Sequence, residues 1–433
     1  MKAPFCFFIA AMLFASCSND EPVPTPQTNT PENPYKITPE EAQSTVMEFL
    51  ETFDQSDLTR SAAPRRICNV KALRNSAAGT RAALGENALN LDTLMYVVNF
   101  SDSAGYALVA ADKRTTPILA IIESGNYDFN QLVQEENEGF LMFLEQAIDR
   151  VEIDINEYDE TQQNAITRAA TSKGWTLSDR VQPILKTKWG QGNVYDRNAY
   201  GKYCPNKVAG CGPIAIAQIL SHYQTVKQFS WTGDNNTIHN VTINWERVMQ
   251  DNQNRGGRLN ANYTPESMNE IAHLARYVGI GTKAKYKFEK DSLQNSTGIE
   301  QDNAIKWLNK HSGLIAKDWE YYNESKIIGA IKEGDPVLAC GYSHKTKAWI
   351  KKRRYKNGHA WVYDGYVTAE KDGQRHNMVH CNWGWDGRKN GFYIAHIFDT
   401  NVGPEVYETE LTRAKGTDFY YCFKLNYSIL KKR

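Results

Sequence analysis

Residues 152–173 are polar and carry no regular apolar spacing, so no single hydrophobic core is expected to run unbroken through this 433-residue chain. The stretches on either side are patterned. Ahead of the break, Thr38 as an N-cap, Pro39 at the first helical position and Glu40 and Glu41 in the first turn predict a helix over 37–60. Ala42, Val46, Phe49 and Leu50 recur along it at helical spacing. Residues 61–90 read as loop with a short strand. Three β-rich runs, 94–100, 106–112 and 118–122, are parted by turn residues and predict a meander. Residues 129–151 predict a helix with Leu132, Phe140, Leu141, Phe143, Leu144 and Ile148 on one face. Beyond the break, helices are expected near 211–224 and 265–278, and strands towards the end. The expectation is two α+β domains, 37–168 with the linker included and 169–433. Arg168 to Lys173 is the kind of exposed stretch that proteases nick.

Charge narrows the function classes. Fifty Lys and Arg balance fifty Asp and Glu, which argues against a general nucleic-acid binder. Ten Trp and 23 Tyr argue against a disordered chain.

The first residues read as a processing segment. Lys2 is followed by the apolar run Phe5 to Phe14, too short for a spanning helix, and then by Ala15, Ser16 and Cys17. This resembles a bacterial lipoprotein signal, with Phe14 where Leu is usual. The resemblance implies a signal peptide over 1–16, cleavage before Cys17 and lipid on Cys17, so that acyl chains are the only contact with a membrane. An ordinary secretory signal with an incidental Cys is the alternative. Residues 17–36, rich in Pro, Thr and Asn, form a flexible tether. Asp20 and Glu21 resemble the surface-export signal of Bacteroides-type lipoproteins. The expected location is the cell envelope, as an outer-membrane lipoprotein, surface-exposed or released.

The cysteines at 68, 204, 211, 340, 381 and 422 are scattered, with no paired metal spacing, so neither a metal site nor a dense disulfide framework is expected. Cys204 and Cys340 pair with each other or stay free; spacing does not choose. His376 and His380 stand four apart, but on a strand that spacing exceeds a metal pair. His222, on the helix after Cys211, reads as packing. The basic run 351–354 reads as a solvated loop, with steering of an acidic substrate as the alternative.

Chemistry is written at three places. Gly210-Cys211-Gly212-Pro213 opens the apolar run Ile214 to Leu220, which puts Cys211 at a helix N-terminus. There the helix dipole and free N–H groups favour a thiolate and can receive an oxyanion. A buried structural cysteine is the competing reading. Gly358-His359-Ala360-Trp361 opens a strand, and His380-Cys381-Asn382-Trp383-Gly384-Trp385 follows the turn signal Asp372-Gly373. A hairpin centred on Lys371 puts Asn382 opposite Ala360, within one rung of His359, where its amide would hold the imidazole in one tautomer. A polar pair at a strand end is the competing reading.

The order Cys, His, Asn is that of papain-like peptidases. The ordered set Lys188-Trp189-Gly190-Gln191-Gly192, Tyr203-Cys204-Pro205, Gly210-Cys211, Gly358 to Gly365 and Asn382-Trp383-Gly384-Trp385 resembles the streptopain family of cysteine peptidases. Upstream, Tyr96 to Phe100, Gly105-Tyr106 and Val109 to Asp112 followed by Thr116 to Ala120 resemble that family's inhibitory prodomain. Gly212, where Val is usual, and Asp386, within a run usually Gly-Trp-Gly-Gly, depart from the pattern.

The resemblance implies a papain-like catalytic domain, with the Cys helix against an antiparallel sheet carrying His, preceded by a smaller α+β prodomain. It implies Cys211 as nucleophile, His359 as general base and acid, Gln191 as oxyanion donor, Asn382 orienting His359, and Trp383 shielding that hydrogen bond. No metal or cofactor is required. The implied partners are protein or peptide substrates, the chain's own prodomain as inhibitor, and an activating protease or the enzyme itself. Two rival readings stand beside this: a non-catalytic surface lipoprotein that binds peptide or glycan, and a transglutaminase-like acyl transferase.

Overall fold

The computed structural model describes residues 33–55, 64–74, 93–130, 135, 137–159, 174–192, 197–254, 256–259, 263–289, 295–346, 354–399 and 423–433. Cys17, the signal, nearly all of the tether and the nick site at 168–173 lie outside the described residues, as do Cys422 and most of the basic run. Tyr35–Arg433 form one compact unit. No helix among the described residues is long and apolar enough to cross a membrane.

Helix α1, Pro39–Gln55, opens with a reciprocal cap: Glu41 N donates to Thr38 Oγ1 at 3.2 Å, and Thr38 N to the Glu41 carboxylate at 2.8 Å. Its stripe Ala42, Val46, Phe49, Leu50 and Phe53 is buried. Strands β2 (Thr93–Phe100), β3 (Tyr106–Ala110) and β4 (Ile118–Ile122) form the expected meander, antiparallel, and β1 (Ile67–Arg74) adds a fourth strand on the outer edge of β2. Helix α2 is Glu138–Glu157, not 129–151. It begins where Asn137 Oδ1 accepts from Phe140 N at 3.1 Å. It also runs on into the stretch expected as linker, because Ala147, Val151 and Ile155 continue one buried face at four-residue spacing.

The second half starts with β5, Thr176–Val181. Helix α3, Cys211–Tyr223, has Gly212 to Ser221 buried, as expected of its apolar run. The hairpin β6–β7 (Gln228–Thr232, Ile238–Thr242), α4 (Trp245–Asn254) and α5 (Pro265–Gly281) follow. Then come β8 (Lys285–Lys287), β9 (Ser296–Gly298), α6 (Gln301–His311), β10 (Leu314–Ala316), β11 (Glu320–Tyr321) and α7 (Glu324–Lys332). The chain closes with β12 (Val337–Thr346), β13 (Arg354–Lys371), β14 (Gln374–Asn382), β15 (Gly391–Ile394) and β16 (Phe423–Lys432). Ile214, Ala217 and Leu220 of α3 share one core with Ile271, Leu274 and Val278 of α5 and with Leu338 and Val362 of the sheet.

Among the described residues one sheet runs β1-β2-β3-β4-β15-β14-β13-β12-β16-β10, with β11 on β16 and β5 on β13. The amino-terminal meander is thus sewn onto the second half, with Ile122 opposite Gly391, Ile121 opposite Phe392 and Ala120 opposite Tyr393. Gly391 makes room for this: a β-carbon there would lie 2.8 Å from the Ile122 Cα.

The β13–β14 hairpin corrects the expected register. Its turn is Asp372-Gly373, both at positive φ (51° and 81°), so Lys371 pairs with Gln374. A bulge lies between Tyr363 and Gly365, and Asn382 ends opposite Val362, not Ala360. Cys204 and Cys340 form no disulfide with each other; both are buried, and Gln301 Nε2 donates to the Cys340 sulfur.

Candidate active site

Gly210 turns the chain into α3 at φ +90°, and a β-carbon there would stand 2.7 Å from Thr297 Cβ. Gly212 is small for a packing reason, since a β-carbon would come within 2.5 Å of Ile299 Cδ1. Cys211, the first residue of α3, is partly accessible. Burial, followed by the Glu138 carboxylate, pushes its thiol up to about 11. The N–H groups of Ala360, Gly212 and Cys211 itself act in the opposite direction. The sulfur therefore lies against the backbone of the residue that follows His359.

His359 sits on β13 opposite Gly341 and is 2% exposed. Its Nε2 lies 2.9 Å from the Trp383 carbonyl oxygen. A carbonyl can only accept, so Nε2 carries the proton and Nδ1 is the basic nitrogen. Nδ1 is buried without a hydrogen-bond partner, so the ring is not bonded to the sulfur. Burial lowers the imidazole to about 4, against the smaller opposing effect of the Trp383 carbonyl. The Cys211 thiol and the His359 imidazole are both neutral in this state.

The expected hydrogen bond from the His359 ring to the Asn382 amide oxygen is absent, and the hairpin register is the reason. Asn382 Nδ2 donates to Thr187 O at 2.8 Å, and its amide meets the Gln218 amide at 3.3 Å in both directions. The main-chain carbonyl of the next residue, Trp383, takes the position expected for the Asn oxygen. Trp383 is fully buried, its ring centroid 6.2 Å from that of His359 and its indole N–H donating to Tyr393 Oη at 3.1 Å.

Gln191 is half-buried beside the Gly210-Cys211 turn, its main-chain oxygen accepting from Gly210 N at 3.0 Å. Its segment is pinned by Trp189 N donating to Gln218 Oε1 at 2.9 Å and by Tyr200 Oη donating to Gly190 O at 3.0 Å. Gln218 thus ties α3, the Gln191 segment and Asn382 together. Sequence reasoning missed this role; the available signal was a lone amide in an apolar helix, two turns after Cys211. His222 is half-buried, as its packing role requires, and His376 lies against the Trp175 ring at 5.3 Å.

Helix α2 covers this constellation. A β-carbon on Gly139 would lie 2.7 Å from His359 Cδ2 and 2.5 Å from Trp383 Cζ3, so only a glycine allows this approach. Glu138, beside it, is open to solvent on one side but enclosed enough that burial raises its carboxyl to about 7, Lys287 opposing. The amino-terminal half also meets the second through carboxylates. Glu48 lies 2.7 Å from Lys371, Glu135 3.2 Å from Lys389, and Glu123 2.9 Å from Lys188 and 3.2 Å from His380.

Residues 189–393 match the model of the peptidase C10 family, and residues 34–151 match that of the Spi protease inhibitor. Streptopain of Streptococcus pyogenes serotype M28 is 25% identical over 333 residues, 69% of this chain and 73% of its own length. The thiol protease/hemagglutinin PrtT of Porphyromonas gingivalis is 22% identical over 74% of this chain but only 36% of its own length. A solved fragment of prointerpain A from Prevotella intermedia has a similar fold, with a TM-score of 0.50 at 17% identity over 85% of this chain and 98% of that one.

Proposed function

The chain is a cysteine peptidase zymogen of the streptopain-like peptidase C10 family with its own Spi-type inhibitor segment, and from that premise we propose that Cys211 is the nucleophile of an endopeptidase held latent under α2. The reading divides the chain into a signal over 1–16, a tether over 17–36, a prodomain over 37–168 and the peptidase from 169.

While α2 is seated, burial holds the thiol up and the imidazole down. Its departure removes both effects and the Glu138 charge, so the two values move towards each other. His359 Nδ1 then takes the thiol proton, leaving a thiolate beside an imidazolium. The thiolate attacks the substrate carbonyl carbon. The oxygen takes up negative charge and is met by the Cys211 N–H and the Gln191 side-chain amide. His359 gives its proton to the leaving amine, the C–N bond breaks, and an acyl-enzyme remains. Water, deprotonated by His359, releases the acid and restores the thiol.

Trp383 serves twice, its carbonyl fixing the Nε2–H tautomer and its ring keeping water from that bond. Asn382 and Gln218 act as positioning residues for the Trp383 turn and the Gln191 segment.

The single observation that carries this reading is the imidazole held through Nε2 with Nδ1 free, on the residue whose neighbour's N–H faces the Cys211 sulfur. Cys211→Ala should abolish both cleavage of a denatured protein and self-processing, with the fold unchanged by circular dichroism. Activity surviving that change would end the proposal. Acyl transfer in place of hydrolysis would show as product masses carrying an added amine.

Export as a lipoprotein belongs to the same proposal, resting on Ala15-Ser16-Cys17 ahead of the Pro-rich tether. Cys17→Ser should abolish incorporation of labelled palmitate and release the protein from the envelope.

A further inference from the structure

We propose that prodomain release uncovers on the peptidase a second substrate-binding site, remote from the thiol, in which the free edge of β15 with Lys188 and His380 takes an extended protein segment bearing a carboxylate. The inference rests on the zymogen reading above.

The prodomain strand shows what this edge accepts. Beyond the three rungs between β4 and β15, Glu123 N donates to Asn390 O at 3.0 Å. The Glu123 side chain then bridges Lys188 Nζ and His380 Nε2. Burial and the two cations act on Glu123 in opposite senses, and the cations win, holding its carboxyl well below the ordinary range. His380 Nδ1 lies 2.5 Å from Asp364, a residue of the peptidase. Burial alone would lower His380, but Asp364 and Glu123 carry it up to about 9. Asp364 stays when the prodomain leaves, so His380 keeps a counter-ion that favours its charge, while Lys188 loses Glu123.

Release also strips two aromatic faces. Phe392 loses Phe53, at 5.4 Å between ring centroids, and Tyr393 loses Phe143, at 4.7 Å. The uncovered strip thus has unpaired main-chain groups, aromatic surface, and two cations just past the last rung. An edge of this kind is a template for strand addition. Gly391 keeps it open to a close main chain. The fitting occupant is extended, apolar, and acidic at the residue after the paired ones. A second copy paired antiparallel through its own β15 would set Ile394 or Ala395 opposite Asn390, not a carboxylate.

The test uses enzyme matured from the full chain and then alkylated at Cys211, so that the catalytic cleft is blocked. The probe is a labelled peptide with the sequence of residues 118–124, Ile-Leu-Ala-Ile-Ile-Glu-Ser. Fluorescence anisotropy should show saturable binding to the matured enzyme and none to the unprocessed Cys211→Ala chain. Replacing the probe's Glu by Gln, or Lys188→Gln in the enzyme, should weaken binding about tenfold, the worth of one charge-assisted hydrogen bond. Gly391→Val should abolish it; where that variant does not mature, Lys188→Gln carries the comparison. With unalkylated enzyme the probe should slow cleavage of a denatured acidic protein and leave cleavage of a short neutral peptide amide unchanged. No binding, equal binding of the Gln probe, or a dimer of matured enzyme that the probe does not dissociate overturns the proposal. An enzyme active on the short amide that fails these tests loses only this site; one inactive on every substrate refutes the peptidase reading itself.

Discussion

Gly139 of helix α2 packs on the imidazole of His359 so closely that a β-carbon would stand 2.7 Å from Cδ2. The inhibitory segment therefore packs on the imidazole proposed as the base, as well as covering the site. A residue with a side chain must push the helix off. Gly139→Val should speed self-processing about tenfold, the effect of roughly 1–3 kcal/mol of overpacking. A time course on gels checks it. The matured enzyme, which lacks the segment, should keep its activity.

Glu138 gives that contact a pH dependence. Its carboxyl is raised from 4.5 to about 7 when docked, so the docked state holds the extra proton. The contribution is full below the released value near 4.5 and is lost as pH rises to about 7. The thermal midpoint of the Cys211→Ala chain should fall across that window, and Glu138→Gln should flatten the fall.

His380 adds a second limb. Its docked value of about 9 lies above the ordinary 6.5, so its contribution is full below 6.5 and is lost as pH rises through 9. Glu123→Gln removes one of the two carboxylates that raise it. The loss above pH 7 should then shift to lower pH, while the Glu138 limb stays in place.

Much of this was legible in the residues. The Thr38–Glu41 cap, the meander and the helix behind Cys211 stand where local pattern places them, because each is decided by near neighbours. The register of β13–β14 was not. The two-residue turn at Asp372-Gly373, not centred on Lys371, displaces the pairing by three positions, and the bulge before Gly365, which leaves no periodic mark, takes one of them back. Nor was the β4–β15 seam, since pairing across 269 positions of sequence, from Ile122 to Gly391, has no local signal. The role given to Asn382 followed the misplaced register. The carbonyl that holds His359 belongs to a main chain and so has no residue type to betray it.

Gln218 offers a test of that revised arrangement. Gln218→Leu strands the buried Trp189 N–H, while Asn382 keeps Thr187 O and Gly384 N, and should destabilise the chain by about 1–3 kcal/mol, the cost of one unsatisfied group. Chemical denaturation measures it. Gln191→Ala, by contrast, should leave stability within about 0.5 kcal/mol of the parent. It should lower kcat about a hundredfold, as loss of one oxyanion donor does.

The central claim is that Cys211 is kept neutral beneath α2 and ionises when α2 leaves. The rate of iodoacetamide labelling at Cys211, read by peptide mass spectrometry at pH 6 before and after maturation, tests it most directly. The unprocessed chain should label slowly, and the matured enzyme at least a hundredfold faster, because the thiolate is the reacting form. Equal rates in the two forms, or slow labelling after maturation, would contradict it.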